Sequence, residues 1–395
     1  MIYLDNNATT QVAPEVFEAL QPYLLSKYGN PSSAHTLGRQ MRVAVERARE
    51  QVARLLGASS PTEIAFTSCG SESDNWAIRG VLEAVPEKKH IVTTRVEHEA
   101  VRNLCLSLER KGYEVTWLSV DGAGELDLEK LKATLRHDTA LVSIMLANNE
   151  TGVLFPVSKV SRIVHDNCEA LVHVDGVQAV GKIPVDVNEL GADLFALSGH
   201  KLHAPQGVGA LYVRTGVRLE PFLIGGAQES GRRAGTSAVP NIVGLGAACE
   251  LAQDPEPHRR IKQLRDRLED ELLRLIPNAT LNGPAEREKR LPNTANISFE
   301  YVEGENILRH LDELGICVST GSACHSTTRE SSPTLRAMNV PYTRAQGSIR
   351  FSLGRYNTAE DIETTLAVLP GIIEKLVEMS PYEKELRALF ISRGA

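Results

Sequence analysis

Short apolar runs recur along the first two-thirds of the chain, each ending in small or polar residues. EIAFT at 63–67, HIVTT at 90–94, EVTWLSV at 114–120, ALVSIML at 140–146, ALVHV at 170–174, LFALS at 194–198 and GALYVR at 209–214 read as strands. Between several of them lie stretches with apolar residues at helical spacing. Near the start, EVFEALQPYLL at 15–25 and the run from QMRVAVERARE to QVARLL at 40–56 read as helices, with Gly57 stopping the second. Apolar strands alternating with helices predict an α/β fold, with a mostly parallel central sheet covered on both faces.

The pattern changes after about residue 250. IKQLRDRLEDELLRLIP at 261–277 is a charged amphipathic helix. LPNTANISFEYV at 291–302 reads as a strand, ENILRHLDELGI at 305–316 as a helix, and CVSTGSAC and SIRFSLGRY as extended pieces. The tail DIETTLAVLPGIIEKLVEM at 361–379 is helical with a Pro-Gly interruption. This part predicts a smaller α+β domain, divided from the first near the polar stretch QDPEPHRR, at about residue 255.

Composition narrows the classes. A chain of 395 residues with 42% hydrophobic and 24% charged residues is expected to be globular, with two domains. The net charge of −7 offers no broad basic footprint for nucleic acid, and His258-Arg259-Arg260 reads as a solvated helix face. No apolar run is long enough for a membrane span. MIYLDNNATT lacks the layout of a secretory signal, and six cysteines without a CxxC pair fit a reducing compartment, so a cytoplasmic location is expected.

In open α/β sheets, ligands collect beyond the carboxyl ends of strands. Thr67-Ser68-Cys69-Gly70-Ser71 lies between a strand and a helix, where small residues and unpaired N–H groups suit an anion. Capping by a serine is the alternative, and no dinucleotide or nucleoside-triphosphate motif is present. His98, after VTTRVE, offers a ring for stacking on a planar cofactor or a helix cap. Asn148-Asn149-Glu150 reads as a turn on its own. Asp175 ends an apolar strand, with Gln178 three residues on; it faces a cationic nitrogen or caps a helix. Lys201 follows LFALSGH at a strand end, where it reaches solvent or, with burial or a neighbouring cation lowering its pKa, offers a free amine for Schiff-base chemistry. His200 and His203 lack the glutamate of a zinc HExxH helix, so no metal is expected. A phosphate cradle, a stacking ring, an acid for a pyridine nitrogen and a lysine for an aldehyde together fit pyridoxal phosphate.

At this point YLDNNATT, GNPSSAH, FTSCGSESDN, VEHEAV, NNETG, VDGVQAVGK, SGHKLHAPQGVGALY, GRRAGT, LPNTANISF, GSAC and IRFSLGRY carry a resemblance. Spanning roughly residues 3–356, the chain resembles the cysteine desulfurase family of the class V aminotransferase fold, and most of all its NifS-like branch. The resemblance implies a fold type I pyridoxal-phosphate enzyme. Residues 1–14 would form an N-terminal segment associated with the small domain. Residues 15–254 would form the large cofactor-binding domain, and 255–395 the small domain carrying a catalytic cysteine loop.

It also implies roles. Lys201 would bond to the cofactor aldehyde, Asp175 would pair with the pyridine nitrogen, and His98 would stack on the ring and assist proton transfer. Gln178 and Asn149 would bond to the ring's phenolic oxygen or its surroundings. Gly70, Ser71, Ser198 and His200 would bind the phosphate, and Thr236 would reach the phosphate of the neighbouring subunit in a homodimer. Arg350 would take the substrate carboxylate, with Asn30 helping at the same end. Arg232 and Arg233 are read as structural or intersubunit pairs at least as readily.

Cys324, which the residues alone read as an incidental thiol, would be the nucleophile that takes sulfur from L-cysteine as a persulfide. L-Alanine would be the product, and an iron–sulfur scaffold or another acceptor would receive the sulfur. The span from Ser319 to Met338 would form a long mobile loop. Departures from the usual family pattern are Cys69 and Ser71 in the phosphate turn, His325 after Cys324, and Gly176 beside Asp175, which would loosen the backbone there. Two other functions share these features. A selenocysteine lyase or another pyridoxal-phosphate amino-acid enzyme would keep Lys201 and Asp175 without needing Cys324. A noncatalytic sulfur scaffold would lack the bound chromophore.

Overall fold

The computed structural model describes residues 1–320 and 331–380. Its strands, in chain order, are β1 (Ile2–Tyr3), β2 (Ile64–Thr67), β3 (His90–Thr94), β4 (Glu114–Leu118), β5 (Thr139–Met145), β6 (Leu171–Asp175) and β7 (Leu194–Ser198). They continue with β8 (Gly209–Val213), β9 (Ala279–Leu281), β10 (Thr294–Phe299), β11 (Ile316–Cys317), β12 (Ser319–Thr320) and β13 (Ser348–Ser352).

A seven-stranded sheet has the order β2-β8-β7-β6-β5-β3-β4. β3 through β7 run parallel, and β8 lies antiparallel between β2 and β7. β2, β3, β5, β7 and β8 are buried along their whole length. Helices cover both faces, so these strands carry apolar residues on both sides rather than alternating. One face packs on helices Pro14–Leu25, Thr36–Leu56 and Val239–Leu251. The other packs on Gly70–Ala84 and Glu99–Glu109, through Trp76, Ile78, Val81, Val101 and Leu104. Gly57 ends helix Thr36–Leu56 with φ of 66°, a left-handed conformation that glycine adopts without strain.

The second sheet, β12-β13-β10-β9, is antiparallel and backed by helices Pro255–Leu275 and Ala359–Glu378. Its core includes Leu268, Leu272, Ile297, Phe299, Ile307, Phe351, Leu369 and Ile373. Leu4 belongs to it, and β1 pairs in parallel with β11, so the first residues of the chain pack with its last third. Residues 5–13 then cross to the first core, where Thr10 and Ala13 N–H groups donate to the His200 and His203 carbonyls.

Two expectations change. The Pro-Gly pair does not interrupt the tail, and Ala359–Glu378 is one helix with Pro370 inside it. Proline removes one N–H, and Leu366, Leu369, Ile373 and Leu376, buried at helical spacing against the second core, hold the helix across that gap. Nor does residue 255 separate the cores cleanly, because Leu291, Leu335, Met338 and Ala345 pack in the first.

Candidate active site

The order of crossovers reverses beside β3. The chain steps from β3 outward to β4, then returns to β5 and proceeds to β6 and β7 on the other side. Carboxyl ends of strands at such a switch point open a crevice. A cavity of about 170 Å³ lies there, lined by residues that follow β2, β3, β5, β6 and β7.

The cavity gathers Gly70, Ser71, His98, Asn149, Asp175, Gln178, Ser198, His200 and Lys201. These are nine of the thirteen residues named for the site; Arg350 does not line the cavity but bonds to Asn149, which does. That arginine, on β13, donates Nη1 to the Asn149 carbonyl at 3.0 Å and Nη2 to Asp5 Oδ1 at 2.7 Å. Asn30 and Thr236 are exposed and do not line the cavity; Asn30 Oδ1 accepts from the Ser32 N–H instead. Cys324 and His325 lie outside the described residues.

At the β2 end, helix Gly70–Ala84 starts without a side-chain cap, so no serine consumes its first N–H groups. A Cβ on Gly70 would sit 2.7 Å from Val177 Cγ2 and 3.3 Å from Ser198 Cβ, so the cradle closes if the residue grows. Ser198 Oγ is buried and has no hydrogen-bond partner among the described residues. An uncapped helix start and an orphaned hydroxyl suit a phosphate. Arg233, by contrast, is spent on Glu72 in the helix's first turn, at 2.7 and 3.0 Å, and Arg232 on the carbonyls of Glu229 and Thr62.

At the other end, Asp175 closes β6. Its Oδ1 accepts from the Val177 N–H at 2.9 Å. Burial raises its pKa, against the pull of His98 and Lys201. Two more buried carboxyls stand near it that strand ends do not announce, Asp74, which also lines the cavity, and Glu97. Burial, then the charges of Asp175 and Glu97, push Asp74 well above the carboxylate range. Burial pushes Glu97 up to about 8, although it accepts from Thr94 Oγ1 at 2.7 Å and from the Met145 N–H at 3.2 Å. Asp74 Oδ1 lies 3.4 Å from His173 Nε2, and burial holds that imidazole neutral down to about pH 3. A carboxyl cluster with so little cationic compensation fits a ring that brings its own N–H⁺ to Asp175. Of the two roles the sequence offered His98, the structure shows the helix cap. Its Nδ1 caps helix Glu99–Glu109 by accepting from the Ala100 N–H at 3.1 Å, and its exposed ring lines the cavity.

Lys201 projects from the turn after β7, donating to the carbonyls of Asn7 at 2.5 Å and Ala8 at 2.9 Å. Asn7 went unnoticed in the sequence, yet it is 1% exposed and joins most of the site. Its carbonyl also accepts from Gln178 Nε2 at 3.0 Å, and its Oδ1 accepts from Lys182 Nζ at 2.9 Å. Its amide donates to Thr294 Oγ1 and the Asn149 carbonyl. The repeated asparagines of YLDNNATT were the available signal, but a hydrogen-bond hub leaves no periodicity to read. His200 and His203 bond to the same segment, through Thr9 Oγ1 and the Gln11 carbonyl. His200 is pushed down to about 4 by burial, with Lys201 and Lys182 adding to it.

Gly176 is the one departure whose consequence reverses. A Cβ there would fall 1.9 Å from Phe195 Cζ, so the ring on β7 occupies the space a side chain would need. The glycine is a packing requirement beside Asp175 rather than a loosening of the backbone.

The family Aminotransferase class-V matches residues 2–365. A protein named cysteine desulfurase from Trichormus azollae is 56% identical over 387 residues, covering 98% of this chain and 96% of that one. The cysteine desulfurase NifS of Azotobacter vinelandii is 49% identical, over 96% of this chain and 94% of its own. A solved structure described as a NifS-like protein superposes with a TM-score of 0.89 at 42% identity, covering 95% of this chain and all of the other.

Proposed function

The chain belongs to the class-V aminotransferase family and to the cysteine desulfurases within it, a pyridoxal-phosphate enzyme; from that premise we propose how its residues divide the work. The observation that carries the reading is the convergence of Lys201, Asp175, His98 and the Gly70–Ser198 cradle on one cavity.

Gly70, Ser71, Ser198 and His200 hold the cofactor phosphate at the helix start. Asp175 would pair with the ring nitrogen, His98 would stack on the ring, and Gln178 and Asn149 would bond to its oxygen or its surroundings. Lys201 anchors the aldehyde. Bound there, pyridoxal phosphate supplies a carbonyl for the amine of L-cysteine and a ring that spreads negative charge from the substrate's Cα. Lys201 removes the Cα proton and later returns a proton to the product. Arg350 turns its guanidinium to the substrate carboxylate, with Asp5 and the Asn149 carbonyl fixing its plane. Asn30 assists at that end.

The Cys324 thiolate attacks the substrate sulfur. A sulfur–sulfur bond forms and the Cβ–S bond breaks, its electron pair staying on carbon, which gains a proton to become the methyl group of alanine. Cys324 is left as a persulfide, and an acceptor thiol, ultimately on an iron–sulfur scaffold, takes the outer sulfur. Residues 15–254, with Leu291, Leu335, Met338 and Ala345 packed into their core, form the cofactor-binding domain, and the rest of 255–395, with the N-terminal segment, the domain that presents Cys324. Two chains form a homodimer in which Thr236 reaches the phosphate of the neighbouring site. Its exposure on the single chain suits that use. No helix among the described residues is long and apolar enough to cross a membrane, and we place the enzyme in the cytoplasm.

The test is to incubate the protein with L-cysteine and a reducing thiol and measure alanine and sulfide together, beside Cys324→Ala. Equal products from the native chain, with sulfide falling at least a hundredfold in the variant, are expected. Undiminished sulfide from the variant would remove Cys324 from the mechanism. On size exclusion the same preparation should elute near twice the 43.1 kDa chain mass, and a monomer would remove the role of Thr236.

A further inference from the structure

Gln178 and Lys182 are four residues apart, and both reach Asn7. Lys182 Nζ donates to Gln178 Oε1 at 2.6 Å and to Asn7 Oδ1 at 2.9 Å. Gln178 Nε2 donates to the Asn7 carbonyl at 3.0 Å, the same oxygen that holds Lys201 Nζ. These contacts leave the glutamine amide one orientation. Turned over, its NH₂ would meet the amine of Lys182 and its oxygen would meet a backbone oxygen, a clash of like with like at both ends.

The consequence reaches the cofactor cavity, which Gln178 lines. An amide has two N–H donors on nitrogen, and one is spent on Asn7. Its oxygen is occupied by Lys182. With the oxygen end turned to Lys182 and keeping only one further lone pair, the nitrogen end of Gln178 has its second N–H left to offer as a donor. We infer that Lys182 is a positioning residue of the cofactor site: it locks Gln178 as a hydrogen-bond donor toward the ring oxygen and, through Asn7, sets that donor in register with Lys201. This rests on the reading of the cavity as a pyridoxal-phosphate site.

Among the described residues the hydrogen-bond partners of Lys182 are two amide oxygens, and neither is a carboxylate. Burial, with Lys201 and Arg350 adding to it, lowers its pKa well below the usual lysine range. A half-buried amine with no carboxylate among its described partners is a cost that a packing role would avoid by using an apolar residue. The donor geometry survives either protonation state, because a neutral amine still carries two N–H groups. A second cavity of about 40 Å³ is lined by both Lys182 and Lys201, together with Asn293 and Arg355, so the two lysines share one neighbourhood on the side away from the ring.

The experiment strips cofactor from the full-length protein and titrates pyridoxal phosphate back, recording affinity and the visible absorbance of the bound form. Lys182→Met is expected to bind at least tenfold more weakly and to shift the absorbance maximum. Lys182→Arg, which keeps donors, is expected to retain the native band. A native affinity and band in Lys182→Met would overturn the inference. So would a loss in Lys182→Arg as large as in Lys182→Met, which would mean that side-chain volume alone matters. The melting temperature of each cofactor-free variant shows whether it has folded. Should Lys182→Met not fold, Gln178→Glu decides, since it keeps an acceptor for Lys182 and removes the amide donor. A shifted band supports the inference, and an unchanged one overturns it. A native protein with no cofactor band at all would instead overturn the reading of the cavity itself.

Discussion

Glu97 shows how much a single residue of this site costs the fold. It is 6% exposed, and its carboxyl is held up to about 8 chiefly by burial, from an ordinary value of 4.5. The folded chain therefore binds this proton more tightly than the unfolded chain does. The resulting stability is fully present below about pH 4.5 and is lost as the pH rises to about 8, after which it stays constant. The slope is about 1.4 kcal/mol per pH unit for one whole proton, with Asp74 and Asp175 contributing in the same direction. Melting temperatures of the cofactor-free protein should therefore fall between pH 5 and 8. Glu97→Gln, which can still accept from Thr94 and Met145, should flatten that fall by several degrees. Parallel slopes for the two proteins would show that the carboxyl is ionised in the fold. Residues such as Asp175, His98 and Lys201 were legible because they end apolar strands. Glu97 and Asp74 were not, since the next residue or the same helix drew attention first and burial has no sequence signature of its own for an acid.

Among the elements, the strands were the most legible part, because burial on both faces writes them as apolar runs of four to seven residues. Their ends then pointed to the cavity. The tail helix was misread at Pro370, where local breaker chemistry lost to tertiary packing of Leu369 and Ile373. Gly176 was misread for the opposite reason, since its neighbour in space is Phe195, nineteen positions on, and only the paired strands β6 and β7 bring them together. Gly176→Ala should cost about 1–3 kcal/mol by overpacking. Phe195→Leu in the same chain should recover part of it, as read by chemical denaturation. A Gly176→Ala protein as stable as the native one would show that the ring can move aside freely.

At the scale of the whole molecule, the first thirteen residues tie the two cores together at the site. Leu4 sits in the second core, Ala13 in the first, and Asn7 between them bonds to Lys201, Gln178, Lys182, Thr294 and Asn293. Asn7 is joined to Thr294 across 287 positions and to Lys201 across 194, which no local pattern could announce. That arrangement places Lys201, the lysine proposed to anchor the cofactor, on the same asparagine as the sheet that leads toward Cys324 in sequence, through β12 and β13. It also sets two lysines at one residue, only one of which lines the larger cavity. The most direct test of the account is to reduce the cofactor-loaded protein with borohydride, digest it and locate the added mass by peptide sequencing in a mass spectrometer. The account predicts the addition on Lys201, in the peptide that carries SGHK, with Lys182 unmodified. An addition on Lys182, or none on either lysine, would contradict it.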